Sequence, residues 1–221
     1  NWLANKKIEF PALVLIVSGG HTELVLMSPK YKIIGETLDD AAGECFDKTA
    51  RILGLGFPGG PAIAAEAEKF KIENLKLKIS LPRPMINSKD YNFSFSGLKT
   101  AVLYLYNDMI KKYPLSKIRP IMAYEIQEAI VDVLVSKTLK AVRNFNPKSV
   151  MIAGGVAANE KLRTYLAEKI APYHIPFFVP DFAYTTDNAA MIAAAGYFHY
   201  LKQKPKLDSW KKIEANANLR L

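Results

Sequence analysis

Cysteine is almost absent: Cys45 is the single one in 221 residues. No disulfide can close within the chain, which suits a reducing compartment, and a cytoplasmic protein is the expectation. Histidine is scarce too. His21, His174 and His199 lie far apart, and no His-Glu-x-x-His pair occurs, so the zinc-protease pattern is missing. There is no Walker loop and no G-x-S-x-G elbow, which sets aside P-loop and α/β-hydrolase chemistry. No run reaches the roughly 18 apolar residues of a membrane span, and no charged-then-apolar leader opens the chain, so no membrane role is expected. Acidic residues are in deficit, 21 against 30 Lys plus Arg, giving a formal charge of +9. Such an excess fits a polyanionic partner such as nucleic acid and fits plain solubility equally well.

What is present is hydrophobic substance. Half the residues are apolar, enough for one large domain or two small ones with a sizeable core. The organising stretch is Leu13 to Met27, LVLIVSGGHTELVLM. Two aliphatic, β-branched runs read as buried strands. Between them Ser18-Gly19-Gly20-His21-Thr22 makes a tight turn whose glycines let a ligand approach the backbone. A phosphate cradle and an ordinary hairpin tip are both compatible with it.

Along the chain, Tyr31 to Gly35 is a candidate third antiparallel strand. Thr37 to Gly54 reads as a helix with Thr37 or Asp39 as its cap and Gly54 as its stop. Ala42, Cys45, Phe46, Thr49, Ile52 and Leu53 form its core stripe. Phe57-Pro58-Gly59-Gly60-Pro61 is a turn feeding a helix over 62–70, with Pro61 at its first position. It serves either as an anion site or as a rigid loop. A basic, proline-broken insertion follows, with a strand near Lys76 to Leu81. Ser96 is placed to cap a helix running to about Lys112, and a long helix is expected from about Pro120 to Asn144.

Ser149 to Ala153 is a buried strand, followed by Gly154-Gly155 and a helix from Asn159 to Ile170. Strand, paired glycines and helix start admit a nucleotide to the backbone, although G-x-G-x-x-G is not matched. Ile175 to Val179 reads as a further strand. A last helix over 188–201 has Thr186 or Asp187 at its cap, and a basic tail follows over 203–221. The order predicts a mixed sheet flanked by helices, an α/β fold. Three Gly-Gly pairs, at 19–20, 59–60 and 154–155, with carboxylates at Asp47 and Asp187, suit a nucleotide held by amides with carboxylates for ribose or metal.

The stretches VSGGHTELVLM, DDAAGECFDKTARILGLGFPGGP, FSFSGLKTAV, QEAIVDVLV, MIAGGVAANEKLR and TTDNAAMIAAAG, in that order, resemble the TsaD family in its bacterial form. The resemblance runs from about residue 12 to 200. It implies the actin, sugar-kinase and heat-shock-ATPase (ribonuclease-H-like) fold. This chain would be the second of two lobes, with residues 66–145 as a helical insertion and long helices. It also implies transfer of a threonylcarbamoyl group from threonylcarbamoyl-AMP to the N6 amine of the adenosine beside the tRNA anticodon.

Carried over residue by residue, Ile16, Val17, Ser18, Gly19 and Gly20 match the substrate-phosphate loop. Asp47 matches the aspartate on the nucleotide sugar, with Gly60 from the next loop, and Asn159 matches the asparagine after the second Gly-Gly. Asp187 matches an aspartate ligand to a divalent metal, iron or zinc. The family's two histidine ligands and its first phosphate loop lie upstream of this sequence. The implied partners are tRNA and subunits like TsaB and TsaE, with self-association through apolar surface left by an absent lobe. A kinase or ATPase of the same fold and a non-catalytic scaffold are the alternatives.

Overall fold

The computed structural model describes residue 1 and residues 8–28, 30–73, 79–205, 208–212 and 214–215. Five strands, β1 (Ala12–Val17), β2 (Thr22–Ser28), β3 (Lys30–Glu36), β4 (Ser149–Ala153) and β5 (Phe177–Phe178), form one sheet in the order β3-β2-β1-β4-β5. β1, β2 and β3 are a meander of antiparallel neighbours. β4 joins β1 in parallel, and β5 joins β4 in parallel. This is the mixed, helix-flanked sheet expected of an actin-like lobe.

Alternation along β1 explains its unbroken hydrophobicity. Leu13, Leu15 and Val17 point into the main core, while Ala12 and Val14 point into a second cluster with Val25, Met27 and Met151 on the other face. A strand covered on both sides has no polar positions to spare. The main core lies against α1 (Ala42–Ile52), α2 (Gly59–Glu73), α3 (Ser96–Met109), α4 (Leu115–Phe145) and α5 (Glu160–Ile170). α6 (Ala189–Lys202) has no buried residue, although its sequence is apolar on every side.

Several helix ends differ from the sequence reading, and for α1 and α3 the reason is the same: caps come from elsewhere in the fold. α1 starts at Ala42, not Thr37, because Thr37 pairs with Phe93 in a short bridge. Its first amides are taken by the hairpin. Ala42 N–H donates to Thr22 Oγ1 at 2.8 Å, and Gly43 N–H donates to the Ser18 carbonyl at 3.1 Å. Asp39, expected to cap α1, instead caps α3. Its Oδ1 accepts from the Phe95 and Ser96 amides at 2.8 and 3.2 Å, and its Oδ2 accepts from the Ser94 and Ser96 hydroxyls at 2.6 and 2.7 Å. Ser96 is thus capped rather than capping.

α2 begins at Gly59, which moves Pro61 to the third helical position. α4 begins at Leu115 and carries Pro120 as its sixth residue, so the carbonyl of exposed Ser116, four residues back, receives no amide from it. Asn188, not Thr186 or Asp187, caps α6, its side chain accepting from Met191 N–H at 3.0 Å. The expected strand over 76–81 falls partly outside the described residues, and 79–81 are not strand. The strand over 175–179 shrinks to two residues.

The insertion is stapled to α4 by charge. Arg83 pairs with Glu125 and, at 3.0 Å, with Asp132. Lys137, on the otherwise apolar face of α4, is fully buried; its Nζ donates to Ser88 Oγ, the Asp90 carbonyl and Asp90 Oδ1. Burial pulls its pKa below the ordinary lysine value, partly offset by Asp90.

Candidate functional site

β1 and β4 are parallel neighbours, with Ile16 opposite Ala153. Their carboxyl ends therefore deliver the 18–21 turn and the Gly154-Gly155 turn side by side. In open sheets this edge, where connections diverge to either side, is where ligands sit. The close fit is enforced by glycine. A β-carbon on Gly154 would stand 2.3 Å from the Val17 carbonyl, and the residue has φ +94. A β-carbon on Gly43 would stand 2.6 Å from the Ser18 carbonyl, so α1 packs directly under the hairpin. Gly19, Gly20 and Gly155 have nothing within 4 Å of such an atom. Packing uses one set of glycines, and the other set faces open space.

That space is a cavity of about 960 Å³. Ser18, Gly19 and Gly20 form one wall, Gly154 and Gly155 a second. The third is the 180–188 segment with Asp181 and Asp187, and α6 closes the side with Phe198 and His199. The sequence reading named the first set and Asp187. It missed Asp181, Phe198 and His199, for which spacing carried no signal, since α6 meets the sheet only through the fold.

The other named residues lie elsewhere. Val17 is buried in β1, and Ile16 is half-buried beside it. Asp47 and Gly60 do not line the cavity; Asp47 Oδ1 accepts the Gly59 amide at 2.6 Å and so buttresses the 57–60 turn. Asn159 caps α5, its Oδ1 accepting from Leu162 N–H at 3.0 Å and its Nδ2 donating to Gln127 Oε1 at 2.9 Å. Each of these amide atoms keeps one further hydrogen-bonding valence.

The hairpin tip is partly self-satisfied. The Gly20 and His21 amides donate to Ser18 Oγ at 3.3 and 3.0 Å, which leaves the hydroxyl proton of Ser18 for a ligand. Thr22, at the end of the turn, is fully buried with its hydroxyl oxygen on α1. Its role is to hold the turn, not to meet a ligand. Among the described residues no group of three or more His, Cys, Asp or Glu side chains could hold a metal ion. Asp187 shares the cavity lining with Asp181 and His199, but these do not make such a group, so a metal does not fit the described residues of this chain alone.

Residues 1–194 match the family model described as TsaD: tRNA N6-adenosine threonylcarbamoyltransferase. The chain belongs to the TsaD family. Among its relatives, a protein of Syntrophomonas wolfei named tRNA N6-adenosine threonylcarbamoyltransferase is 47% identical over 202 residues, covering 90% of this chain and 58% of its own length. One of the same name from Caldicellulosiruptor saccharolyticus is 48% identical over 204 residues, covering 91% and 59%. Another from Thermosipho africanus is 43% identical over 224 residues, covering 100% and 64%. The chain thus spans about three-fifths of the length of the TsaD relatives it matches. Among the described residues no helix is long and apolar enough to cross a membrane.

Proposed function

We propose that this chain is one lobe of a threonylcarbamoyltransferase acting on tRNA. The observation that carries the reading is the pair of glycine turns brought together at the carboxyl ends of β1 and β4 beside an open cavity. Family membership supplies the reaction: the N6 amine of adenosine attacks the carbamoyl carbonyl of threonylcarbamoyl-AMP. The carbonyl–phosphate C–O bond breaks, AMP departs with the electron pair, and the amine loses a proton.

In this reading the exposed backbone at Gly19, Gly20 and Gly155, with the Ser18 hydroxyl, takes the phosphate and stabilises the charge on departing AMP. Ile16 and Val17 set the height of that loop. The Asp47 oxygen not bound to Gly59 and the backbone of Gly60 take the nucleoside sugar, and Asn159 lends its spare valences. Asp187 is one ligand of a divalent metal, iron or zinc, whose other ligands come from outside the described residues. tRNA and TsaB-like and TsaE-like subunits are the proposed partners, and the cytoplasm the proposed location.

Calorimetric titration of the chain with a non-hydrolysable threonylcarbamoyl-adenylate analogue, with ATP in parallel, tests this. Adenylate binding that is lost in Asp47→Ala supports the lobe as a preformed nucleotide site. Preference for ATP with turnover favours a kinase or ATPase, and no binding of either assigns the site to the whole two-lobed protein. Asp187→Ala in the protein of full family length lowers its metal content while the fold persists; unchanged metal content removes Asp187 from the ligand set.

A further inference from the structure

Arg163 closes the stretch GGVAANEKLR, and the reaction gives it no task. It lies in the first turn of α5 and does not line the cavity. Its Nε donates to the Ala157 carbonyl at 2.5 Å, its Nη2 donates to the Pro180 carbonyl at 3.0 Å, and its guanidinium lies 4.0 Å from the centre of the Phe182 ring. Ala157 belongs to the turn begun by Gly154 and Gly155. Pro180 and Phe182 open the segment that ends at Asp187. One planar cation therefore spans two of the three cavity walls.

Among the described residues, the 180–188 segment also bonds to itself. Tyr184 N–H donates to the Asp181 carbonyl, and Thr185 donates to the Phe182 carbonyl through both its amide and its hydroxyl. These bonds shape the segment without fixing its distance from the glycine turn. β5 contributes two residues of strand pairing just before it, and α6 after it has no buried residue.

We infer that Arg163 is a positioning residue: it sets the spacing between the Gly154-Gly155 turn and Asp187, and so the width of the site. Its two donors diverge to two carbonyls while its face rests on an aromatic ring. A lysine ammonium has no planar fork and no flat face to reproduce this. Asp187 sits at the far end of the segment, just ahead of α6, which has no buried residue, so loss of the tether lets it move without unfolding the sheet.

This inference rests on the transferase reading for its functional half and on geometry alone for its structural half, and the experiment separates them. Hydrogen exchange on the chain reads the structural half. In Arg163→Met the amides of Ala157, Asn159, Tyr184 and Thr185 exchange about tenfold faster or more, while those of β1 and β4 are unchanged. Arg163→Lys does not restore them. Unchanged exchange at these four amides overturns the inference.

Transfer to tRNA by the protein of full family length, with its partner subunits, reads the functional half. Arg163→Met lowers kcat more than it raises KM for the adenylate, and Arg163→Met with Asp187→Ala is no slower than Asp187→Ala alone, because both act at one place. Losses that simply multiply show a structural role only and overturn the positioning claim. If Asp187→Ala is itself as active as the parent, the assignment of Asp187 fails, and the exchange pattern alone decides whether Arg163 clamps the two walls.

Discussion

The carboxylate of Asp39 is bound to Ser96 through both its oxygens, one to the amide at 3.2 Å and one to the hydroxyl at 2.7 Å. It stands just ahead of α1 yet serves the start of α3. Burial acts to raise its pKa, but the hydrogen bonds from Ser94, Phe95 and Ser96 outweigh that and hold it below the ordinary carboxylate value. The folded protein thus binds this proton less readily than the unfolded chain. The resulting stability is complete above an unfolded pKa of about 3.9 and is lost as pH falls through the lower folded value. Asp39→Ala is expected to cost about 1–2 kcal/mol at pH 7, the worth of an exposed cap with charge-assisted bonds. Urea melts at pH 7 and pH 3 check it: the difference between variant and parent must shrink at the lower pH.

Gly154 and Gly155 are adjacent and opposite in their demands. Gly154→Ala places a β-carbon 2.3 Å from the Val17 carbonyl at a φ that disfavours side chains, and a loss of about 2–4 kcal/mol is expected. Gly155→Ala meets nothing within 4 Å and should change stability by about 0.5 kcal/mol or less. If a phosphate lies over this turn, Gly155→Ala nonetheless weakens adenylate binding. Thermal melts of both variants with and without the adenylate analogue separate the two effects, and equal melting temperatures for the two variants would contradict this account of the turn.

Cys45 is buried, and burial, reinforced by the charge of Asp40, pushes its thiol up to about 12. A thiol reagent at pH 8 should leave the native protein unmodified and react fully in denaturant, since the thiolate is the reactive form. Fast labelling of the native chain would place Cys45 at the surface, contrary to its packing in the core.

The strands and the mixed architecture were legible because β1, β2 and β4 are short, aliphatic and bounded by glycine. The stripe of α1 was legible for the same kind of reason: Cys45, Phe46 and Thr49 recur at helical spacing and are buried. Caps were not legible. Thr22 sits 20 positions from the amide it accepts, and Asp39 serves a helix 57 positions on, so local rules gave no sign of the first and pointed the second to the wrong helix. Two of the three glycine pairs, 19–20 and 154–155, lie on loops that line the cavity and the 59–60 pair does not; the pattern could not tell Gly154, which packing requires, from Gly155, which it leaves free. Asp181 and His199 reach the cavity through the path of the chain after β5, and no short pattern encodes that path.

The parallel pairing of β1 with β4 has a consequence for how the protein comes into being. Val17 emerges from the ribosome well before Ser149, and among the described residues no strand between β3 and β4 joins the sheet beside β1. Until then the hairpin waits with one side of β1 unpaired and aliphatic, an edge prone to wrong partners. The cavity is therefore a late product of synthesis: any chain stopped before β4 carries the first glycine turn but lacks the Gly154-Gly155 wall.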